Sequence, residues 1–172
     1  MSQQRRGKLF ETGLCGDIYQ RTEKKLFPEP IGFSGNHAVP APDIKIDDGT
    51  KIHAIELKTT SNSRMSLTHD PTSTKKDDLW QLFDYAERFP RTVVPYAGVK
   101  FNNRQLLLMK FWVRAPNVRA VLQSGVNDVP TDVRLTKQSN LSVHKPDLDV
   151  WPSAQKGDDV EYLLDEIGYN YK

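Results

Sequence analysis

Cysteine is nearly absent from this chain of 172 residues. Cys15 is the only one, which excludes a disulfide framework, a cysteine zinc site and a four-cysteine iron–sulfur arrangement. A lone thiol in an apolar stretch packs more readily than it reacts. No apolar run approaches the length of a membrane span or a secretory core, so a soluble, intracellular, cytoplasmic protein with no membrane contact is expected. Internal repeats and low-complexity tracts are missing too, which excludes solenoids and arrays. Strong net charge is also lacking: the formal value is +2. That small number hides an asymmetry. From residue 147 onward Asp147, Asp149, Asp158, Asp159, Glu161, Asp165 and Glu166 face only Lys156 and Lys172, a net of −5, so the rest of the chain carries +7. A basic body with an acidic end fits an anionic partner for the body and leaves the end free to recruit another protein.

What is present centres on residues 42 to 60. Pro42-Asp43 leads into two short apolar runs around Asp47-Asp48-Gly49, and Asp-Gly between alternating runs is a strong hairpin signal. Strands over Asp43 to Asp47 and Lys51 to Thr60 are predicted. Alternation puts Glu56 and Lys58 on one face, with the Leu57 carbonyl nearby and Asp43 entering from the partner strand. Ile52 and Ala54 share the Glu56 side while Ile55 and Leu57 take the other, so this strand is predicted to be central and covered on both faces.

Charged residues at the end of a covered strand need partners. Asp43, Glu56, the Leu57 carbonyl and Lys58 together suit a hard divalent cation such as Mg²⁺, which takes oxygen ligands and keeps several waters. Such an ion favours attack on a phosphodiester, with Lys58 orienting or deprotonating the water or stabilising the transition state. A plain Glu-x-Lys ion pair on a strand face is the competing explanation.

The flanking segments extend this picture. Gly7, Glu11, Leu14 and Ile18 recur along one helical stripe between Arg5 and Phe27, placing Glu11 on a face that should be mostly buried, either as a satisfied structural residue or as part of a site. Residues 27 to 42 read as a loop with a short strand at Ile31-Gly32-Phe33, and Ser34-Gly35 could offer a hydroxyl or backbone N–H groups to a phosphate. Arg64, Lys75 and Lys76 sit in or just after the next irregular stretch and suit DNA backbone contacts. Leu79, Leu82, Phe83, Ala86 and Phe89 mark a second helix, with Gln81 and Tyr85 on the adjoining face. Two further strands, Val93 to Phe101 and Arg104 to Arg114, follow. The second is apolar on both faces and is either central or part of a subunit interface. Beyond Ala115, Val118 to Leu122, Val133 to Leu135 and Leu141 to Val150 read as short strands and Asp159 to Ile167 as a short acidic helix.

This order of elements resembles the nuclease superfamily named for its Pro-Asp…(Asp/Glu)-x-Lys signature, and within it the archaeal-type Holliday junction resolvases. The resemblance runs over residues 5 to 114. It rests on Gly7 to Glu11, Ser34-Gly35, Pro42-Asp43, Ile55-Glu56-Leu57-Lys58-Thr59-Thr60, Tyr85-Ala86-Glu87-Arg88-Phe89 and Gly98-Val99-Lys100-Phe101. It implies an α/β restriction-endonuclease-like core over residues 1–114, a mixed central sheet flanked by helices in the order αβββαββ; residues 115–172 have no counterpart in that core and are expected to form a C-terminal extension packed on the same domain. It also implies Glu11, Asp43 and Glu56, with the Leu57 carbonyl, as metal ligands, Lys58 as the catalytic lysine and Ser34 as an assisting loop residue. Mg²⁺ would be the cofactor, with Mn²⁺ able to substitute. The implied enzyme is a homodimer that nicks opposed strands of four-way DNA in recombination and repair, with Arg5, Arg6, Lys8, Arg64, Lys75 and Lys76 on the DNA. Two other readings compete with it. One is a single-strand exonuclease or other repair nuclease, since Gln81 to Tyr85 resembles the Gln-x-x-x-Tyr element of some such enzymes; the other is a catalytically silent DNA-binding protein.

Overall fold

The computed structural model describes residues 3–31, 41–69, 78–88, 93–102, 106–114, 117–122, 131–135, 139–144 and 158–169. The first helix, α1 (Gln3–Arg21), buries Leu14, Cys15 and Ile18 along the predicted stripe. It stops six residues before Phe27. Thr22 turns its hydroxyl back to the Ile18 carbonyl at 2.9 Å and accepts the Leu26 N–H at 3.2 Å, while Glu23 and Lys24 adopt left-handed backbone. Those two contacts replace the helical ladder and reverse the chain.

Three antiparallel strands come next: β1 (Phe27–Pro30), β2 (Ile44–Asp47) and β3 (Ile52–Thr60). Strand β1 occupies Phe27–Pro30, a stretch read as loop because of Pro28 and Pro30, while Gly32 and Phe33 of the strand expected at Ile31 to Phe33 lie outside the described residues. Both prolines are tolerated because β1 is the sheet edge, where one side of the strand has no ladder to donate to. The β2–β3 turn is the expected one. Gly49 takes φ 88°, Asp47 accepts the Gly49 N–H at 2.9 Å, and Asp48 accepts those of Thr50 and Lys51 at 2.7 and 2.6 Å.

After β4 (Arg64–His69), helix α2 (Asp78–Arg88) carries the chain back so that β5 (Val93–Phe101) pairs with β3 in parallel, in register from Ile52↔Val93 to Thr60↔Phe101. Strand β6 (Leu106–Arg114) returns antiparallel to β5, and that ladder begins at Tyr96↔Lys110, one residue past Pro95, whose missing N–H is therefore not needed there. Strands β7 (Asn117–Leu122) and β8 (Thr131–Leu135) extend the sheet to seven strands in the order β1-β2-β3-β5-β6-β7-β8. The remaining strand, β9 (Ser139–His144), pairs with β4 in a separate two-stranded sheet. The result is the mixed α/β architecture expected, and β4 lies between the hairpin and the second helix.

One face of the large sheet packs Ile44, Ile55, Leu57, Leu106 and Leu108 against α1 and against the last helix, α3 (Asp159–Ile167). Asp158 caps α3 at its start, and Gly168, at φ 75°, ends it. The other face packs Ala54, Val99, Met109 and Phe111 against Leu79, Leu82 and Phe83 of α2. Every residue of β3 from Ile52 to Leu57 is buried. At the turn end of β3 the buried His53 ring lies 3.0 Å from Asp48 Oδ2 and 3.3 Å from the Tyr96 hydroxyl.

β6 lies inside the sheet between β5 and β7, so the apolar residues Leu106, Leu108, Met109 and Phe111 are consumed by the chain's own core. Of the two explanations offered for that strand, the central position accounts for them.

Gly98, opposite Leu57, is closely packed by side chains. A Cβ added there would meet Leu57 Cδ2 at 2.5 Å and Leu106 and Leu108 at 3.3 Å. Gly98→Ala is therefore expected to destabilise the protein by about 1–3 kcal/mol through overpacking, read as a lower urea midpoint with unchanged slope.

Candidate active site

Hydrophobic cover over β3 ends at Leu57, and the chemistry begins beside it. Glu56 points to the α2 face and is buried, with 6 % of its surface exposed. Lys58, two residues on and on the same face, donates from Nζ to Glu56 Oε1 at 2.8 Å. A buried carboxylate held by an ammonium is stable only as a pair, so the two side chains fix one another.

Asp43 reaches the same place from β2. The paired part of β2 starts at Ile44, opposite Ile55, so the Leu57 N–H lies beyond the β2–β3 ladder, and Asp43 Oδ2 accepts it at 2.8 Å. In a strand the N–H and C=O of one residue face the same neighbour, which turns the Leu57 carbonyl toward the Asp43 edge as well.

Glu11 arrives from α1, three and seven residues before the buried Leu14 and Ile18. Its carboxyl lies near Gly7, as does the Thr59 hydroxyl: a Cβ on Gly7 would sit 3.8 Å from Glu11 Oε1 and 3.7 Å from Thr59 Oγ1. Burial raises the Glu11 pKa above the usual carboxylate range, and the negative charge of Asp43 raises it further; Lys58 and Lys8 act in the opposite direction. That mutual influence brings Glu11, Asp43, Lys58 and Lys8 into one electrostatic neighbourhood. Cys15, one turn along, is pushed up to about 12 by burial and by Glu11, as suits a packed thiol.

The structure thus gathers Glu11, Asp43, Glu56, Leu57 and Lys58 around the C-terminal end of β3. Among the described residues no group of three or more His, Cys, Asp or Glu side chains is close enough to hold a metal ion by itself. Arg5, Arg6 and Lys8 are exposed at the start of α1, and Arg64 is exposed at the start of β4. Ser34, Lys75 and Lys76 lie outside the described residues. Tyr85 is not on an open face: it is buried in the α2 core, with Lys45 and Glu29 as its charged neighbours.

Lys100 and Asn102 escaped the sequence analysis as members of this region. Thr59↔Lys100 register puts them at the same sheet end, and the signal for it was the strand–helix–strand order from β3 through α2 to β5. Such a crossover makes strands parallel and brings their C-terminal ends together.

A mixed sheet between helices thus carries acids and a lysine at the C-terminal end of β3, a strand buried inside that sheet. Among solved structures, Hjc, a Holliday junction resolvase from the archaeal hyperthermophile Archaeoglobus fulgidus, matches with a TM-score of 0.54. The match covers 97 % of this chain and 99 % of that one at 16 % identity, so the likeness is one of fold. No protein-family model and no curated protein matches the chain. Among the described residues no helix is long and apolar enough to cross a membrane.

The raised Glu11 pKa has a consequence for stability without metal. A carboxyl that holds its proton more tightly folded than unfolded makes stability fall as pH rises above about 4.5. Glu11→Gln is therefore expected to raise the melting temperature at pH 7 in EDTA, with the gain shrinking toward zero as pH drops through the carboxylate range. A thermal melt series checks both halves.

Proposed function

We propose that this protein is a metal-dependent endonuclease that cuts four-way branched DNA by paired phosphodiester hydrolysis near the branch point. The observation that carries the reading is the meeting of Glu11, Asp43, Glu56 and Lys58 at one end of β3, within a fold shared with a Holliday junction resolvase.

The donor set is all oxygen: three carboxylates and the Leu57 carbonyl. That chemistry fits Mg²⁺, with Mn²⁺ as a substitute, and the charge crowding between Glu11 and Asp43 is what a cation would relieve. Mg²⁺ binds through few protein ligands and keeps its waters, so a ready-made protein cage is not required. When bound, the ion supplies Lewis-acid stabilisation of phosphoryl oxygens and a lowered pKa for water.

The chain's own residues supply the rest. Asp43 and Glu11 hold negative charge beside the Leu57 carbonyl, and Glu56 keeps the Lys58 ammonium at 2.8 Å. Lys58 orients the attacking water or stabilises charge on the phosphate. Arg5, Arg6, Lys8 and Arg64 engage the DNA backbone, with Ser34, Lys75 and Lys76 assigned to the same task or to the site by sequence alone.

A homodimer would match the near two-fold symmetry of a four-way junction. Its contact surface would lie away from Leu106 to Phe111, which the core uses. An acidic protein-docking role for the end of the chain would have to rely on acids other than Asp158 and Asp159, which pair with Arg21 and Lys100.

The test is cleavage of an end-labelled four-way junction with Mg²⁺ or EDTA, beside duplex and single-stranded controls of the same sequence. Paired nicks near the centre, only with metal, are expected. Progressive loss of single strands would instead indicate an exonuclease. Asp43→Asn keeps an acceptor for the Leu57 N–H but removes a charged ligand, so the cleavage rate should fall by about 100-fold or more. Junction affinity in EDTA should stay within about threefold of wild type, because the basic surface is unchanged. A large loss of affinity would overturn that division of labour.

A further inference from the structure

Helix α1 and the C-terminal ends of β3 and β5 enclose a cleft of about 220 Å³ lined by Arg6, Phe10, Thr59, Ser61, Lys100 and Asn102. Two cations, two hydroxyls and a side-chain amide around one opening are the donors that bind an oxyanion. The cleft adjoins the acids: Thr59 Oγ1 and Glu11 Oε1 lie against the same point of α1, at Gly7. It is nevertheless a separate position. Side chains alternate along β3, so Thr59 faces α1 while Glu56 and Lys58 face the other way.

Lys100 is held there by α1 and α3. Its Nζ lies 5.7 Å from the Phe10 ring centroid and donates to the Asp159 carboxylate at the start of α3. Asp159 is anchored in turn, accepting the Leu106 N–H through its other oxygen at 2.7 Å. A lysine so fixed, with its side chain 26 % exposed, presents its charge at a defined point beside the cleft. Asp159 neutralises part of that charge.

We propose that this cleft is a second phosphodiester-binding subsite, taking a backbone phosphate next to the scissile one between Arg6 and Lys100, with Asp159 as the internal counter-ion that moderates its strength. The proposal rests on the nuclease reading and names a part of its substrate contact.

Binding of the four-way junction to the full chain, measured in EDTA across a salt series, tests it. Each cation contacting a phosphate contributes about −0.9 to the slope of log affinity against log salt. Arg6→Gln and Lys100→Gln should each flatten the slope by about one and weaken binding by about tenfold near physiological salt. Asp159→Asn keeps the acceptor for Leu106 and should strengthen binding about threefold, which a merely structural ion pair would not do.

If wild type neither binds nor cuts the junction, the nuclease reading itself fails. If wild type cuts but Arg6→Gln and Lys100→Gln keep the wild-type slope, the subsite is overturned and that reading stands. Should Lys100→Gln fail to fold, the Arg6→Gln and Asp159→Asn arms decide: unchanged slope and unchanged affinity in both reject the proposal.

Discussion

The parallel pairing of β3 with β5 is the constraint on which the rest depends. It runs over nine residues of each strand, and parallel strands are stable when both faces are covered. Covering both faces requires α1 and α3 on one side and α2 on the other, and α2 is also the crossover that makes the pairing parallel. The run of buried apolar residues within β3 itself stops at Leu57, and the polar groups of the candidate site gather around it, at the end of the strand. Glu56 and Lys58 sit at that boundary, the first buried and the second part-buried.

Holding acids together in this way opposes folding. Glu11 and Asp43 raise each other's energy as anions, and the desolvation of Glu11 adds to that. Lys58 and Lys8 offset part of the cost, and the apolar packing of Leu14 and Ile18 just along α1 holds Glu11 in position. Such local expense within a well-packed frame is the usual mark of a functional site, where charge is arranged for a task and stability comes from elsewhere.

The acidic end of the chain has a structural part in this. Val160, Leu163, Leu164 and Ile167 of α3 enter the same core as α1, and the acids at its start pair with Arg21 of α1 and Lys100 of β5. Tyr162 supports the arrangement by accepting the Leu108 N–H of β6 at 3.3 Å. The acidic end of the chain thus closes one face of the sheet and sets the charge at its edge.

Local chemistry is legible in the sequence wherever it is repeated or punctuated. The Asp-Asp-Gly turn, the stripes of α1 and α2, the strand order of Val93 to Arg114 and the short acidic helix all follow from periodicity and from residues that favour particular backbone angles. Pro28 and Pro30 obscured β1 because proline signals a break, and only an edge position removes the objection. Tyr85 shows the same limit: its spacing from Gln81 marks one helix face, but whether that face meets solvent or core depends on what packs there.

The alternation of apolar residues by itself determined that β3 would be covered on both faces with Glu56 and Lys58 at one end, because side-chain direction along a strand follows from the backbone. Only the tertiary structure decided which distant residues share that end. Glu11, Asp43 and Lys100 come from three other elements, and their meeting depends on sheet register and on helix docking, which are set by packing between segments far apart in the chain and not by any local preference.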